Sequence, residues 1–183
     1  MAIQPKDASQ GSAEDISPDD KVIQLCHAFA ERMPPILSSE TELNTMDSME
    51  VCCHQEKDRF NKLIQVMNNS LKEIEKAIKG VILMTPKLDQ MYQSFLNNMV
   101  PQLWTASAYP SLKPLGSWFD DFLKRTSFFQ NWLDNGKPKA YWLSCFFFPQ
   151  GFLTSQLQNY SRRFAVPVDK MSYKYQMTMI YDV

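Results

Sequence analysis

Histidine and glycine are scarce in this sequence of 183 residues, with 2 His and 5 Gly. His-based catalysis and Gly-rich phosphate loops both depend on those residues, so neither chemistry is easily built here. Gly11, Gly80, Gly116, Gly136 and Gly151 stand isolated, and neither GxGxxG nor GxxxxGK followed by Ser or Thr occurs. Charge of one sign is also lacking: 19 basic side chains face 20 acidic ones, for a net charge of -1. That leaves no basic excess for a nucleic-acid backbone. The longest mostly apolar run, residues 141–148, is far too short to cross a bilayer. Residues 1–20 are polar and lack the apolar core of a signal peptide. The four cysteines, Cys26, Cys52, Cys53 and Cys145, follow no disulfide spacing, so a reduced, intracellular setting is the expectation.

What is present is apolar and aromatic. Hydrophobic residues make up 44% and aromatics 13%, with 12 Phe and 11 Met, enough for a sizeable core and too much for a disordered polypeptide. Residues 1–17 read as a flexible lead. Ser17 then caps a helix with Pro18 at its first position and Asp20 beside it. Val22, Cys26, Phe29 and Met33 follow at helical spacing until Pro34-Pro35. Residues 36–49 read as a polar connection.

The clearest signal is a seam at Phe60, Ile64, Met67, Leu71, Ile74, Ile78 and Val81, spaced 4 and 3 in alternation. Glu75 and Lys79 form a favourable pair four residues apart. Thr85-Pro86 breaks and restarts the helix, and Leu88, Met91, Tyr92, Phe95, Leu96 and Met99 form a second apolar face. Two long helices over about 57–99, tightly joined and antiparallel, are therefore expected to pack internally rather than as a dimerising coiled coil. Gly80 reads as a close helix contact.

Residues 101–116 form an irregular stretch with Trp104, Tyr109, Pro110 and Pro114, an ordered and packed link. Ser117 with Asp120 offers the next cap, followed by Asp120–Lys124 and Asp121–Arg125 pairs. Trp118, Phe122, Phe129, Trp132 and Leu133 make an aromatic stripe that reads as core before it reads as a ligand pocket. Asn135-Gly136 and Pro138 form a turn. A short apolar element, 141–148, precedes a helix over 150–164 with Leu153, Leu157, Tyr160 and Phe164 facing one way. Tyr173, Tyr175, Met177, Met179 and Tyr181 then alternate with more polar residues, the pattern of a strand. A lone strand cannot satisfy its backbone, so it implies a sheet supplied from elsewhere.

Two soft-ligand pairs, Cys26-His27 and Cys52-Cys53-His54, lack the paired spacings of zinc sites and read as structural thiols. No catalytic, cofactor-binding or metal-ligating residue is assigned.

The sequence from Asp58 onward resembles the C-terminal region of dynein heavy chains. The resemblance runs through Arg59-Phe60-Asn61-Lys62-Leu63, Ser70-Leu71 and Ala77-Ile78-Lys79-Gly80, then Val100-Pro101 to Trp104. It is most specific in YPSLKPLGSW, residues 109–118, and in FFFPQGFLT, residues 146–154. Arg125, Trp132, Pro138, Tyr141-Trp142-Leu143-Ser144, Leu157-Gln158-Asn159-Tyr160 and Pro167-Val168-Asp169 keep the family spacing. PQGFLT and SYKYQM look axonemal rather than cytoplasmic. Cys145 and Ser155 stand where the family usually has Gly, and Ser161 where it usually has Ala, each placing a larger or more polar side group at a helix contact.

The resemblance implies a mainly α fold, a helical bundle of long amphipathic helices that ends in the first strand of a truncated α+β C-terminal domain. It implies three pieces: a lead at 1–17, a region at 18–134 bracing the last AAA+ ring module, and the start of the C-terminal domain at 135–183. The implied role is structural, within an ATP-driven, minus-end-directed microtubule motor of cilia and flagella. ATP and Mg belong to modules upstream of this stretch, as does the microtubule-binding tip. Implied partners are the rest of the ring, dynein intermediate and light chains, and microtubules through the whole motor, with no nucleic acid and no membrane. The expected location is the cytoplasm, cytoskeleton and axoneme. The competing expectation is a short stand-alone module that binds a partner through its aromatic face or terminal strand.

Overall fold

The computed structural model describes residues 16–39 and 47–177. They are mainly helical. The elements are α1 (Pro18–Arg32), α2 (Ser48–Ile78), α3 (Pro86–Leu96), α4 (Gln102–Thr105), α5 (Leu115–Asn135) and α6 (Pro149–Phe164). Short 3₁₀ turns lie at Leu143–Cys145 and Val168–Lys170. Most of the lead, residues 1–15, lies outside the described residues.

Helix α1 begins as its residues dictate. The Ser17 hydroxyl accepts from the Asp20 amide at 3.1 Å and Pro18 takes the first position, where its missing N–H costs nothing. Val22, Cys26 and Phe29 are buried and the helix stops before Pro34-Pro35.

Helix α2 is longer than its apolar seam. It starts at Ser48, inside the stretch expected to be a connection, because Asp47 caps it by accepting from the amides of Met49 and Glu50. Met49, Cys52, Cys53 and Glu56 extend the buried face backwards from Phe60. A carboxylate in that face disguises it in the sequence. Phe60, Ile64, Met67, Leu71 and Ile74 are buried as the spacing predicts.

The seam fails at its end. Val81 is 69% exposed because the helix has already closed. Gly80 adopts φ +72°, its amide bonds the Ala77 carbonyl, and the Val81 amide reaches back to Lys76 at 2.9 Å. This is a Schellman closure, which wants glycine for its left-handed backbone. Nothing lies within 4 Å of a Cβ built on Gly80, so the expected close helix contact is replaced by a conformational role.

Thr85 then caps α3, accepting from the Leu88 amide, with Pro86 first in the helix. This second helix is short, and it packs on both α1 and α2. Leu88, Met91 and Phe95 are buried, whereas Leu96 and Met99 of the expected face are exposed.

The link from 101 to 114 is packed by its aromatics. Trp104 is fully buried on α4 and donates its indole N–H to Ser70 Oγ at 2.8 Å, and Ser70 in turn donates to the Met67 carbonyl. Both buried polar groups are thereby satisfied. Trp104 stacks on Trp118 at 5.8 Å between ring centroids, and Trp118 stacks on Phe122 at 5.8 Å with an interplanar angle of 4°. Phe60 of α2 meets Phe129 of α5 at 5.2 Å. The aromatic stripe is core.

Helix α5 starts at Leu115 behind Pro114, without a side-chain cap, so Ser117 lies inside the helix and does not cap it. Pro114 fixes its own φ and needs no capping hydroxyl to start the turn. Asp121 pairs with Arg125 as expected, but Asp120 reaches Arg32 of α1 at 2.5 Å instead of Lys124. The element over 141–148 is neither strand nor α-helix; it carries one 3₁₀ turn.

Helix α6 presents a different face inward from the one expected. Phe152 and Ser155 are buried, Leu153 and Leu157 are half-buried, and Tyr160 and Phe164 are exposed. Cys145 sits in the 3₁₀ turn and is fully buried. The Ser155 hydroxyl is satisfied within its own helix by the Gly151 carbonyl at 2.8 Å. The predicted strand is not found: described residues 171–177 lack regular structure, and no strand lies among the described residues to pair with them. Met179, Tyr181 and the end of that pattern lie outside the described residues.

The role of Gly80 is testable by equilibrium urea unfolding. Gly80→Ala should cost about 1–2 kcal/mol through its left-handed backbone alone. Gly116→Ala, in a helix and facing equally open space, should gain about 0.5–1 kcal/mol.

Candidate functional site

Two buried charged side chains, Glu56 and Arg125, converge on the stretch between α5 and α6. That stretch has almost no regular structure, so its buried backbone groups need side-chain partners. Glu56 of α2 supplies one. It is 0% exposed, and its Oε2 accepts the Phe147 amide at 2.6 Å while Oε1 accepts from the Arg59 guanidinium. Arg125 of α5 supplies another. Its Nη1 donates to the Ser144 carbonyl, and its Nε donates to Asp121 at 2.7 Å. The guanidinium also lies 3.9 Å from the Tyr109 ring centroid and 5.2 Å from that of Trp142. Such stacking suits arginine's planar, weakly hydrated cation.

Asp121 accepts from Lys113 at 2.6 Å as well as from Arg125. Burial on its own would raise this carboxyl's pKa, but the Lys113 and Arg125 hydrogen bonds outweigh it and hold the pKa below the ordinary carboxylate value. A second knot lies at the start of α2. Asp47 takes Lys137 and the Asn159 amide at 2.6 Å, Asn159 accepts the Ser48 amide at 2.9 Å, and Arg162 donates to Ser48 Oγ at 2.8 Å. Burial opposes ionisation of Asp47 too, and its bonds to Lys137, Asn159 and Met49 again prevail to lower its pKa. These contacts tie α6 and the 136–138 turn to the N-terminus of α2. The buried Tyr109 hydroxyl lies near Asp121 and finds no well-formed hydrogen bond among the described residues.

The two cysteine–histidine pairs separate in space. Cys26 points into the core while His27 is exposed and meets Glu75 at 3.3 Å. Cys52 and Cys53 are buried, and His54 Nδ1 lies 3.4 Å from Lys57 Nζ. Among the described residues no three His, Cys, Asp or Glu groups gather as metal ligands would. Burial pushes the thiols of Cys26 and Cys53 up to about 12, and raises Cys52 and Cys145 as well. Thiolate chemistry at neutral pH is thereby suppressed.

Residues Glu56, Asp47 and Lys137 carry this architecture with no motif to announce them, and Asn159 lies in the Leu157–Tyr160 stretch of the resemblance, which does not reveal its partners. The one local signal is the Asp121–Arg125 spacing. The arrangement can brace segments against one another; it leaves its buried carboxylates occupied by cations and amides.

Two measurements follow. Asp121 has a depressed folded pKa, so its contribution to stability is complete above the unfolded value of about 3.9 and is lost as pH falls toward the folded value. Asp121→Asn should cost about 1–3 kcal/mol at pH 7, and its stability should fall less steeply than that of the parent protein below about pH 4. Chemical denaturation at a series of pH values reads both. Second, the four cysteines should label slowly with a thiol-reactive probe at neutral pH in the native protein and rapidly once it is unfolded.

Comparison with known proteins places this architecture. The family model for the C-terminal domain of dynein heavy chains matches residues 1–182, on both sides of residue 135. The protein is 42% identical to dynein axonemal heavy chain 6 of Homo sapiens across 99% of its own length and 4% of that relative. It is 38% identical to dynein axonemal heavy chain 1 of Rattus norvegicus across 97% of its length and 4% of that relative. It is 40% identical to dynein axonemal heavy chain 12 of Homo sapiens across 88% of its length and 5% of that relative. It thus spans about one twentieth of the length of the relatives it matches. The match to the family model along residues 1–182 and these identities make the protein a member of the dynein heavy chain family, corresponding to the C-terminal domain.

Proposed function

We propose that this protein is a structural C-terminal segment of an axonemal dynein heavy chain. It serves an ATP-driven, minus-end-directed microtubule motor of cilia and flagella, and carries no nucleotide or microtubule site of its own. The match along residues 1–182 is the observation that supports this reading. On this reading the helices from residue 18 onward lie within one C-terminal domain and brace the last AAA+ ring module. Partners on this reading are the rest of the ring, dynein intermediate and light chains, and microtubules through the whole motor. ATP and magnesium belong to other modules, and the residues here do not suit them. The five glycines are isolated, and Glu56, Asp121 and Asp47 are spent on amides and cations.

The exposed Tyr160–Phe164 pair, with ring centroids 4.3 Å apart, favours one rival. That rival is a stand-alone module that binds through an aromatic face. The purified protein in a phosphate-release assay should show no ATP turnover above buffer, and sustained turnover would overturn the structural reading. Size exclusion with light scattering separates the rivals. Dependence on added heavy-chain segments for a well-behaved particle supports the segment, whereas a compact and self-sufficient monomer supports the module.

A further inference from the structure

Serine followed by proline occurs once in this sequence, at Ser17-Pro18, and threonine followed by proline once, at Thr85-Pro86. Both hydroxyl residues are exposed helix caps. Both therefore present the dipeptide that proline-directed kinases modify, and the structure separates them. A kinase cleft takes its acceptor in extended backbone, with the next residues drawn out of any helix. Beyond Ser17, every residue to Lys21 is exposed, and Val22 is the first buried one. Beyond Thr85, Leu88 is already in the core at 4% exposure. Ser17 is reached by fraying one helical turn at an end of the fold, where opening is easiest. Thr85 is reached only by withdrawing a core leucine.

Phosphate at Ser17 acts on the start of α1. The Ser17 hydroxyl donates to Asp20 Oδ2 at 2.8 Å and accepts the Asp20 amide at 3.1 Å. Asp19 accepts from the Tyr92 hydroxyl at 2.6 Å, which ties this turn to α3. A phosphoserine carries about -2 at pH 7 and as a dianion has no proton to give Asp20. It gains from the helix dipole, roughly half a positive charge at the N-terminus. It loses against the full negative charges of Asp19 and Asp20. In residues 14–21 Glu14, Asp15, Asp19 and Asp20 stand against Lys21 alone, a net -3. Widening the window to 6–26 adds Lys6 and Asp7 and leaves the same -3. Repulsion outweighs the dipole.

We propose that Ser17 is the acceptor of a proline-directed kinase, and that its phosphorylation frees the first turn of α1 from α3. A bond forms between Ser17 Oγ and the γ-phosphorus of ATP, the bond to the β,γ-bridging oxygen breaks and ADP leaves. The hydroxyl proton passes to the kinase's base. This goes beyond the heavy-chain reading and does not depend on it.

The experiment treats the whole 183-residue protein with magnesium ATP and, in parallel, a cyclin-dependent and a mitogen-activated kinase. Intact mass should show one added phosphoryl group, and fragmentation should place it on Ser17. Thr85→Ala should accept as much as wild type, and Ser17→Ala none. No incorporation with either kinase, or incorporation at Thr85 in place of Ser17, would overturn the site. Residue-resolved hydrogen exchange reads the consequence. The amides of Asp20 and Lys21, which bond to Ser17, should exchange about threefold faster or more once the protein is modified. Asp19→Asn with Asp20→Asn removes the opposing charge, so the same phosphate should slow exchange at those two positions. Unchanged or slower exchange in modified wild type would overturn the release of α1.

Discussion

The grip of Glu56 and Arg125 on the 141–148 segment is the interaction on which the rest of the structure depends. That segment joins α5 to α6 with one 3₁₀ turn, which pairs the Cys145 and Phe146 amides and leaves the Phe147 amide and the Ser144 carbonyl to side chains. Left unpaired in the interior, each such group costs about 1–3 kcal/mol. Glu56 takes the Phe147 amide and Arg125 gives to the Ser144 carbonyl, from two different helices. The segment is thereby held between α2 and α5, and Cys145 is packed with its sulfur 3.9 Å from the Arg125 carbonyl. A buried carboxylate is costly unless it is paired and fully hydrogen-bonded. Here Arg59 and the Phe147 amide meet that condition together.

Each charged residue in this network is occupied by another, and that decides what the network can do. Asp121 would be an acid candidate if it were lone and buried. Lys113 and Arg125 keep it ionised instead. Tyr109 lies under Arg125 as an aromatic platform, so the cation is shared between a carboxylate, a carbonyl and two rings. The second knot, around Asp47, performs the same task at the other end of α6: it caps α2 and ties down Lys137 and Asn159 with one carboxylate. Charge is spent on joining helices to irregular segments, which fits a brace better than a reaction centre.

Much of the fold is legible in the sequence because its signals are local. The Ser17-Pro18 start of α1, the Thr85-Pro86 start of α3 and the Phe60–Ile74 seam rest on caps and periodicity, which act over one or two turns. The aromatic stripe of α5 reads as core and is core. What escapes depends on distant partners. The first turns of α2 are hidden because Glu56 interrupts the apolar pattern, and its burial makes sense only once Phe147 lies beside it. The start of α5 is misplaced because a proline can open a helix as well as a serine can. The inward face of α6 is misleading because Asn159 and Ser155 are held by α2 contacts and by the helix itself, while Tyr160 and Phe164 look like core and stay outside. The expected strand has the right alternation, but no strand among the described residues offers it a ladder.

Val81 shows why periodicity alone misleads at such places. Its spacing continues the buried seam without a flaw, yet the helix has ended and the residue faces solvent. An apolar residue at the right interval records that burial is favourable, and it does not record against what. Core and interface select the same residue types. The backbone separates them: once Gly80 takes φ +72°, the backbone leaves the helix axis and the next four apolar residues cannot reach the core that the previous five fill. Lysines on both sides of the turn then stand in solvent, where they would be costly beneath an internal packing surface. The seam is therefore continuous in sequence and divided in space. Its first part closes the core, and its last residue opens an apolar turn on the surface.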